Sequence, residues 1–196
     1  MNERSWALAR RAEEAARREL ERIPEWLWDG RSVPVPVELL ADSHYGLLVE
    51  EEPDLRSRLA LSDHAHVSGL LLPAERLIVV DEEEAARAPG RRRFTIGHEL
   101  GHWVLHRSPG SEAPVYCRDV GVREQAAGEP EPAAVFDYPP SELEANQFAA
   151  AMLLPRELLL SQRRPTSNDE EYALARVFGV SREALLRRLW SLDHGL

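Results

Sequence analysis

A single cysteine, Cys117, is all the chain has, so no disulfide can form within it and nothing demands an oxidising compartment. It lacks any run of about 18 apolar residues, which argues against a membrane-spanning helix. The N-terminal stretch MNERSWALARRAEEAARREL has no apolar segment of the kind a signal peptide needs. Positive charge is scarce as well: 24 Lys and Arg against 34 Asp and Glu leave a net charge of −10, which disfavours a broad electrostatic grip on nucleic acid. These absences predict a cytoplasmic protein with a soluble partner, no membrane contact and no direct nucleic-acid binding.

What is present is an ordinary globular composition, 43% hydrophobic and 30% charged over 196 residues, enough for one domain with small appendages. Residues 2–22 read as an exposed helix rich in Ala, Arg and Glu, stopped by Pro24, with Trp26 and Trp28 docking it. Pro34 and Pro36 hold the chain extended before VELLADSHYG, a short helix capped by Gly46. GLLVEE (46–51) is a candidate strand, and VSGLLL (67–72) with RLIVVD (76–81) reads as an antiparallel hairpin. Residues 107–140 are proline-rich without periodicity, a length of loop that is usually functional or disordered. SELEANQFAAAMLLP (141–155) is a helix closed by a proline. SNDEEYALARVFGVSREALLRRLW (167–190) reads as two helices divided at Gly179, with starts at Ser167 and Ser181. Helices and strands in this order indicate an α+β fold.

The chemistry concentrates in RRRFTIGHELGHWVLH, residues 91–106. On a helix of about 3.6 residues per turn, His98 and His102 lie about 40° apart on one face, while Ile96, Leu100, Trp103 and Val104 gather on the other. His98-Glu99-Leu100-Gly101-His102 is the pattern HExxH, in which two imidazoles converge on one metal ion and the glutamate stands beside it as a general base. Gly97 and Gly101 each cost about 1 kcal/mol relative to alanine in a helix, so the pair suggests another segment passing close by. His106 sits about 12 Å of helix rise beyond His98, too far to share the ion across Zn–N bonds of about 2 Å, and reads as a structural or ligand-supporting histidine.

A catalytic zinc takes three protein ligands and leaves a place for water. Glu142 and Asn146 fall one turn apart in SELEANQFAAAMLLP, with Ala145 and Ala149 on the same face to permit a close helix approach. Glu142 then ligates and Asn146 hydrogen-bonds an imidazole. Glu144 competes for the ligand role, but Ser141 and Glu144 also form a capping box, which favours Glu142.

GHELGHWVLH and ELEANQFAAAMLLP together resemble the ImmA/IrrE family of zinc metallo-endopeptidases. The resemblance is specific over residues 91–106 and 141–155 and weaker over 34–190. It implies a gluzincin-like site with Zn2+ held by His98, His102 and Glu142, and Glu99 as catalytic base. It implies a zincin-like fold, with a small antiparallel sheet packed on the HExxH helix and further C-terminal helices. It also implies a protein substrate, a helix-turn-helix transcriptional repressor, cleaved to release stress-response or mobile-element genes. The corresponding organisation is an N-terminal helix and linker at 1–30, the metallopeptidase domain at 31–160 with its Pro-rich loop at 107–140, and a helical segment at 161–196 packed on it. Tyr116, Tyr138 and His106 are candidate oxyanion donors, and VSGLLL is a candidate edge for an extended peptide. The alternative reading is a catalytically silent zinc-containing binding module. A second rival, DNA binding, rests on FGVSREALLRRLW, where Arg182, Arg187 and Arg188 form a local basic face. Cys117 could ligate the metal in a latent state, but a lone cysteine is usually inert, and His64 and His66 read as solvent-facing.

Overall fold

The computed structural model describes residues 3–53, 55, 67–107, 115–118 and 139–196. Its elements run α1 (Glu3–Arg22), α2 (Val37–Leu39) continued by one π-helical turn (Leu40–His44), β1 (Leu48–Glu52), β2 (Val67–Leu72), β3 (Leu77–Asp81), α3 (Glu82–Arg87), α4 (Pro89–Leu105), β4 (Val115–Arg118), α5 (Pro140–Leu153), α6 (Arg156–Leu160), α7 (Asn168–Phe178) and α8 (Arg182–Asp193). The fold is α+β and consistent with a zincin, as the sequence predicts. Among the described residues no helix is long and apolar enough to cross a membrane.

Two corrections concern the sheet. It is mixed rather than antiparallel: the order is β1-β3-β2-β4, with β1 parallel to β3 and both β3 and β4 antiparallel to β2. Because β4 comes from the proline-rich 107–140 stretch and pairs Val115 with Leu71 and Tyr116 with Leu70, VSGLLL is an interior strand. Its main-chain groups are engaged on both sides, so it offers no edge to a peptide. The β2–β3 hairpin forms where the alternating apolar residues place it, with Leu72 opposite Leu77.

Strands β2 and β3 have two buried faces. Leu71, Ile78 and Val80 join the main core with Ile96 and Leu100 of α4 and Phe148 and Met152 of α5. Val67, Leu70, Leu77 and Val79 face the other way and pack with Leu55. A period of two produces this division along β3 and over Leu70–Leu72, and the irregularity between Val67 and Gly69 puts Val67 on the Leu70 side.

Helix α1 is not an exposed appendage. Ala9, Ala12 and Ala16 are fully buried and belong to one helix face, and the helix lies along α5. Its Glu13 accepts two hydrogen bonds of 2.6 Å from the guanidinium of Arg188 on α8 and a third from Gln147 on α5. Arg188 is itself buried and donates to the Leu154 carbonyl as well. Arg182 pairs with Glu171 and Arg187 with Glu183, so each arginine of the apparent basic face already has a carboxylate partner. Trp28 docks in a small cluster with Ile23, Leu27, Val35 and Leu40, whereas Trp26 is 78% exposed. Gly46 and Gly179 take φ values of +64° and +65°, ending the π-helical turn and α7 in the left-handed conformation that glycine adopts without strain. Ser167 and Ser181 accept from backbone NH groups at the starts of α7 and α8.

Candidate metal centre

Helix α4 begins at Pro89, upstream of the Phe94 where the apolar period starts, so the arginine run is helical and serves as an anchor. Arg92 bridges Glu38 and Glu51, and Arg93 donates to the carbonyls of Gly179 and Val35. These contacts hold the helix against the N- and C-terminal segments. The residues from Thr95 to His102 are all buried.

Helix α5 crosses closest to α4 at the two glycines. A Cβ on Gly101 would stand 2.9 Å from the Ala145 Cα and 3.0 Å from its carbonyl oxygen; one on Gly97 would stand 3.4 Å from the Ala149 Cβ. Small residues on both helices thus set the separation that brings Glu142 to the histidine pair.

The structure brings together the three residues singled out as ligands. His98 Nε2 and His102 Nε2 are 2.9 Å apart, and the two Glu142 oxygens lie 3.2 Å from them, one to each ring. Ligand atoms of all three fall within 4.8 Å of one another. The far side of each ring has a partner. His98 Nδ1 lies 3.0 Å from Asn146 Oδ1, and His102 Nδ1 lies 3.1 Å from His106 Nδ1, whose Nε2 is 3.0 Å from Glu144 Oε2. A carboxylate only accepts, so His106 donates from Nε2 and accepts at Nδ1. His102 therefore donates from Nδ1, as His98 does to Asn146.

Both Nε2 atoms then carry lone pairs, pointed at each other and at a carboxylate, with no donor among them. Three acceptors converging in this way fit a cation. The separations fit too, since two zinc bonds of about 2.0–2.1 Å at a tetrahedral angle put their ligand atoms about 3.3 Å apart. Burial alone would raise the Glu142 carboxyl; were the two rings protonated at Nε2 instead, hydrogen bonds from His102 and His98 would outweigh it and lower the group to about 2. Burial pushes the His102 imidazole down, favouring the neutral ring that a metal requires.

Glu99 is 0% exposed, and neither carboxyl oxygen has a hydrogen-bond partner. Burial pushes it up to about 8, against the lowering effect of His98 and with a further rise from Glu142. Buried orphan acceptors are rare enough to require an explanation, and a position beside a reactive centre supplies one. Space for it comes from Gly69 in β2, where a Cβ would meet Thr95 Cγ2 at 2.4 Å and Glu99 Oε1 at 3.2 Å. Sequence reasoning missed Gly69, although a glycine inside a β-rich run signals close approach of another group.

The capping box at Ser141 does not form. Pro139 is the N-cap and Pro140 the first helical residue, which places Ser141 inside the first turn and leaves Glu144 to reach His106. His106 Nε2 is committed to that contact. Tyr138, His64 and His66 lie outside the described residues, and of Tyr116 and Cys117 only the strand backbone is described.

A paired-histidine helix, a glutamate from a neighbouring helix and a buried glutamate beside them make up the residue set of a metallopeptidase. The chain belongs to a peptidase family of this kind: residues 45–190 match Peptidase_M78, the IrrE N-terminal-like domain. No curated protein matches it.

Proposed function

We propose that the protein is a zinc-dependent endopeptidase that hydrolyses a peptide bond in a protein partner. The observation that carries this reading is the convergence of ligand atoms of His98, His102 and Glu142, next to the buried, unpartnered carboxyl of Glu99. Membership of a metallopeptidase family supports it.

In the mechanism His98, His102 and Glu142 would hold the ion, and zinc bound there would supply the Lewis acidity that polarises a carbonyl and acidifies water. Asn146 and His106 hold the two imidazoles in the tautomer that leaves Nε2 unprotonated. Glu99 takes up at its carboxylate a proton from the attacking water and returns it to the leaving amine, so that the C–N bond breaks as the new C–O bond is kept. Its side chain is fully buried beside Gly69.

The partner we propose is a helix-turn-helix repressor in the cytoplasm, cleaved to derepress stress-response or mobile-element genes; the family resemblance of the two motif helices supports this choice. The test is to incubate zinc-loaded protein and Glu99→Gln with candidate repressors. Wild type cuts, and the variant binds zinc but is slower by a factor of about 10²–10⁴. Equal cleavage by both refutes the mechanism. Stoichiometric zinc with no cleavage of any repressor turns the reading to a zinc-containing binding module.

A further inference from the structure

Hydrogen-bonded lines leave the metal centre from both histidines, and they differ in length. From His98 the line reaches Asn146 within one step. From His102 it continues through His106 to Glu144, and the Arg11 guanidinium of α1 stands 3.2 Å from the second Glu144 oxygen as an ion pair. Each proton on this longer line points outward, from His102 to His106 and from His106 to the carboxylate.

We propose that His106 and Glu144 are positioning residues for the ligand His102, and that Arg11 completes the line from a helix outside residues 45–190. The proposal rests on the metal-centre reading above. Three observations support it. First, Glu144 is only 4% exposed, with one oxygen on His106 and the other in the ion pair with Arg11, an expensive position for a carboxylate whose only task is packing. Second, the line fixes the His102 tautomer with its Nε2 directed at Glu142, and negative charge at the far end makes that nitrogen a stronger donor to a cation. Third, the members of the line come from three helices, α4 with its C-cap His106, α5 and α1, so the ligand's electronic state and the packing of these helices are coupled. Arg11 is 61% exposed at its side chain and therefore contributes less than the two buried members.

The test measures zinc affinity by competition with a chromophoric chelator, together with the absorption spectrum of the cobalt-substituted protein and the unfolding temperature of the metal-free protein. His106→Ala and Glu144→Ala weaken zinc binding about 10- to 100-fold and shift the cobalt bands. Glu144→Gln keeps an acceptor for His106 and loses only the charge, so its effect is smaller than that of Glu144→Ala. Arg11→Ala costs less than about fivefold, and the loss shrinks in about 1 M salt. Arg187→Ala, which removes an exposed pair on α8, leaves all three readouts at wild-type values. If either alanine variant fails to fold, His106→Gln and Glu144→Gln are measured in its place. Variants that lower the unfolding temperature but keep wild-type zinc affinity and cobalt spectra overturn the proposal while leaving the metal centre intact. A wild-type protein that takes up neither metal overturns both.

Discussion

The two glycines of the HExxH helix respond in opposite ways to the same substitution. Alanine is favoured over glycine inside a helix by about 1 kcal/mol, so both changes start with that gain. At Gly97 the new methyl meets the Ala149 side chain at 3.4 Å, an ordinary contact, and the gain survives. At Gly101 it meets the Ala145 backbone at 2.9 Å. Carbon atoms prefer about 3.5–4.0 Å, so α5 must retreat by roughly 0.6–1.1 Å. Forced overpacking costs about 1–3 kcal/mol, and a backbone obstacle that cannot rotate away belongs at the upper end. The net loss is about 2 kcal/mol, or about 4–8 °C in Tm for a chain this size. Glu142 stands one turn upstream of Ala145 on the retreating helix. Sites of this kind tolerate displacements of about 0.5 Å, so zinc affinity falls as well, by about tenfold if only 1.4 kcal/mol of strain reaches the ligands. Thermal unfolding of the metal-free proteins and chelator competition measure the two effects. A Gly101→Ala protein that melts at or above the wild-type temperature and binds zinc normally would refute the reasoning, as would a Gly97→Ala protein destabilised to the same extent.

Gly69→Ala drives a methyl into Thr95 and Glu99, so peptide hydrolysis falls by at least about tenfold while zinc affinity stays within about twofold, because no ligand touches Gly69. Steady-state kinetics on zinc-loaded protein, with the metal content measured, decide it. Arg188→Ala strands the Glu13 carboxylate between α1 and α5 and costs about 3 kcal/mol, a Tm loss of about 6–12 °C by calorimetry. Glu38 is held below its ordinary 4.5 by hydrogen bonds from Arg92, so its stabilisation is present above that value and is lost as pH falls through the depressed one. Glu38→Gln therefore flattens the acid side of a urea-unfolding stability profile below about pH 5, and an unchanged profile would count against the pairing.

The metal centre was largely legible because its information is local. An i, i+4 histidine pair fixes its own geometry once the helix forms, and the matching glycines and alanines of the two helices announced the close crossing. Asn146 followed from sharing a face with Glu142. What the sequence hid depends on partners far along the chain. Strand β4 sits in a proline-rich stretch with no period, and only pairing with β2 makes it a strand. The role of Glu144 was obscured by a plausible local alternative, since Ser141 caps nothing when the helix starts at Pro140. The burial of α1 was written in alanines at positions 9, 12 and 16, but the surrounding charge dominated the reading. Arg188 looked like part of a basic surface because its counter-ion is 175 residues away.

That separation bears on how the chain is assembled. Helix α1 is synthesised before the helices it packs on, and the guanidinium that neutralises Glu13 follows 175 residues later. Until α8 arrives, α1 can rest on α5 through its alanines and the Gln147 hydrogen bond, but the charge of Glu13 has no counter-ion in the seam. Contacts spanning nearly the whole sequence form slowly, since closing so long a loop is entropically costly. Helix α1 is thus made before α8 but fully secured only with it.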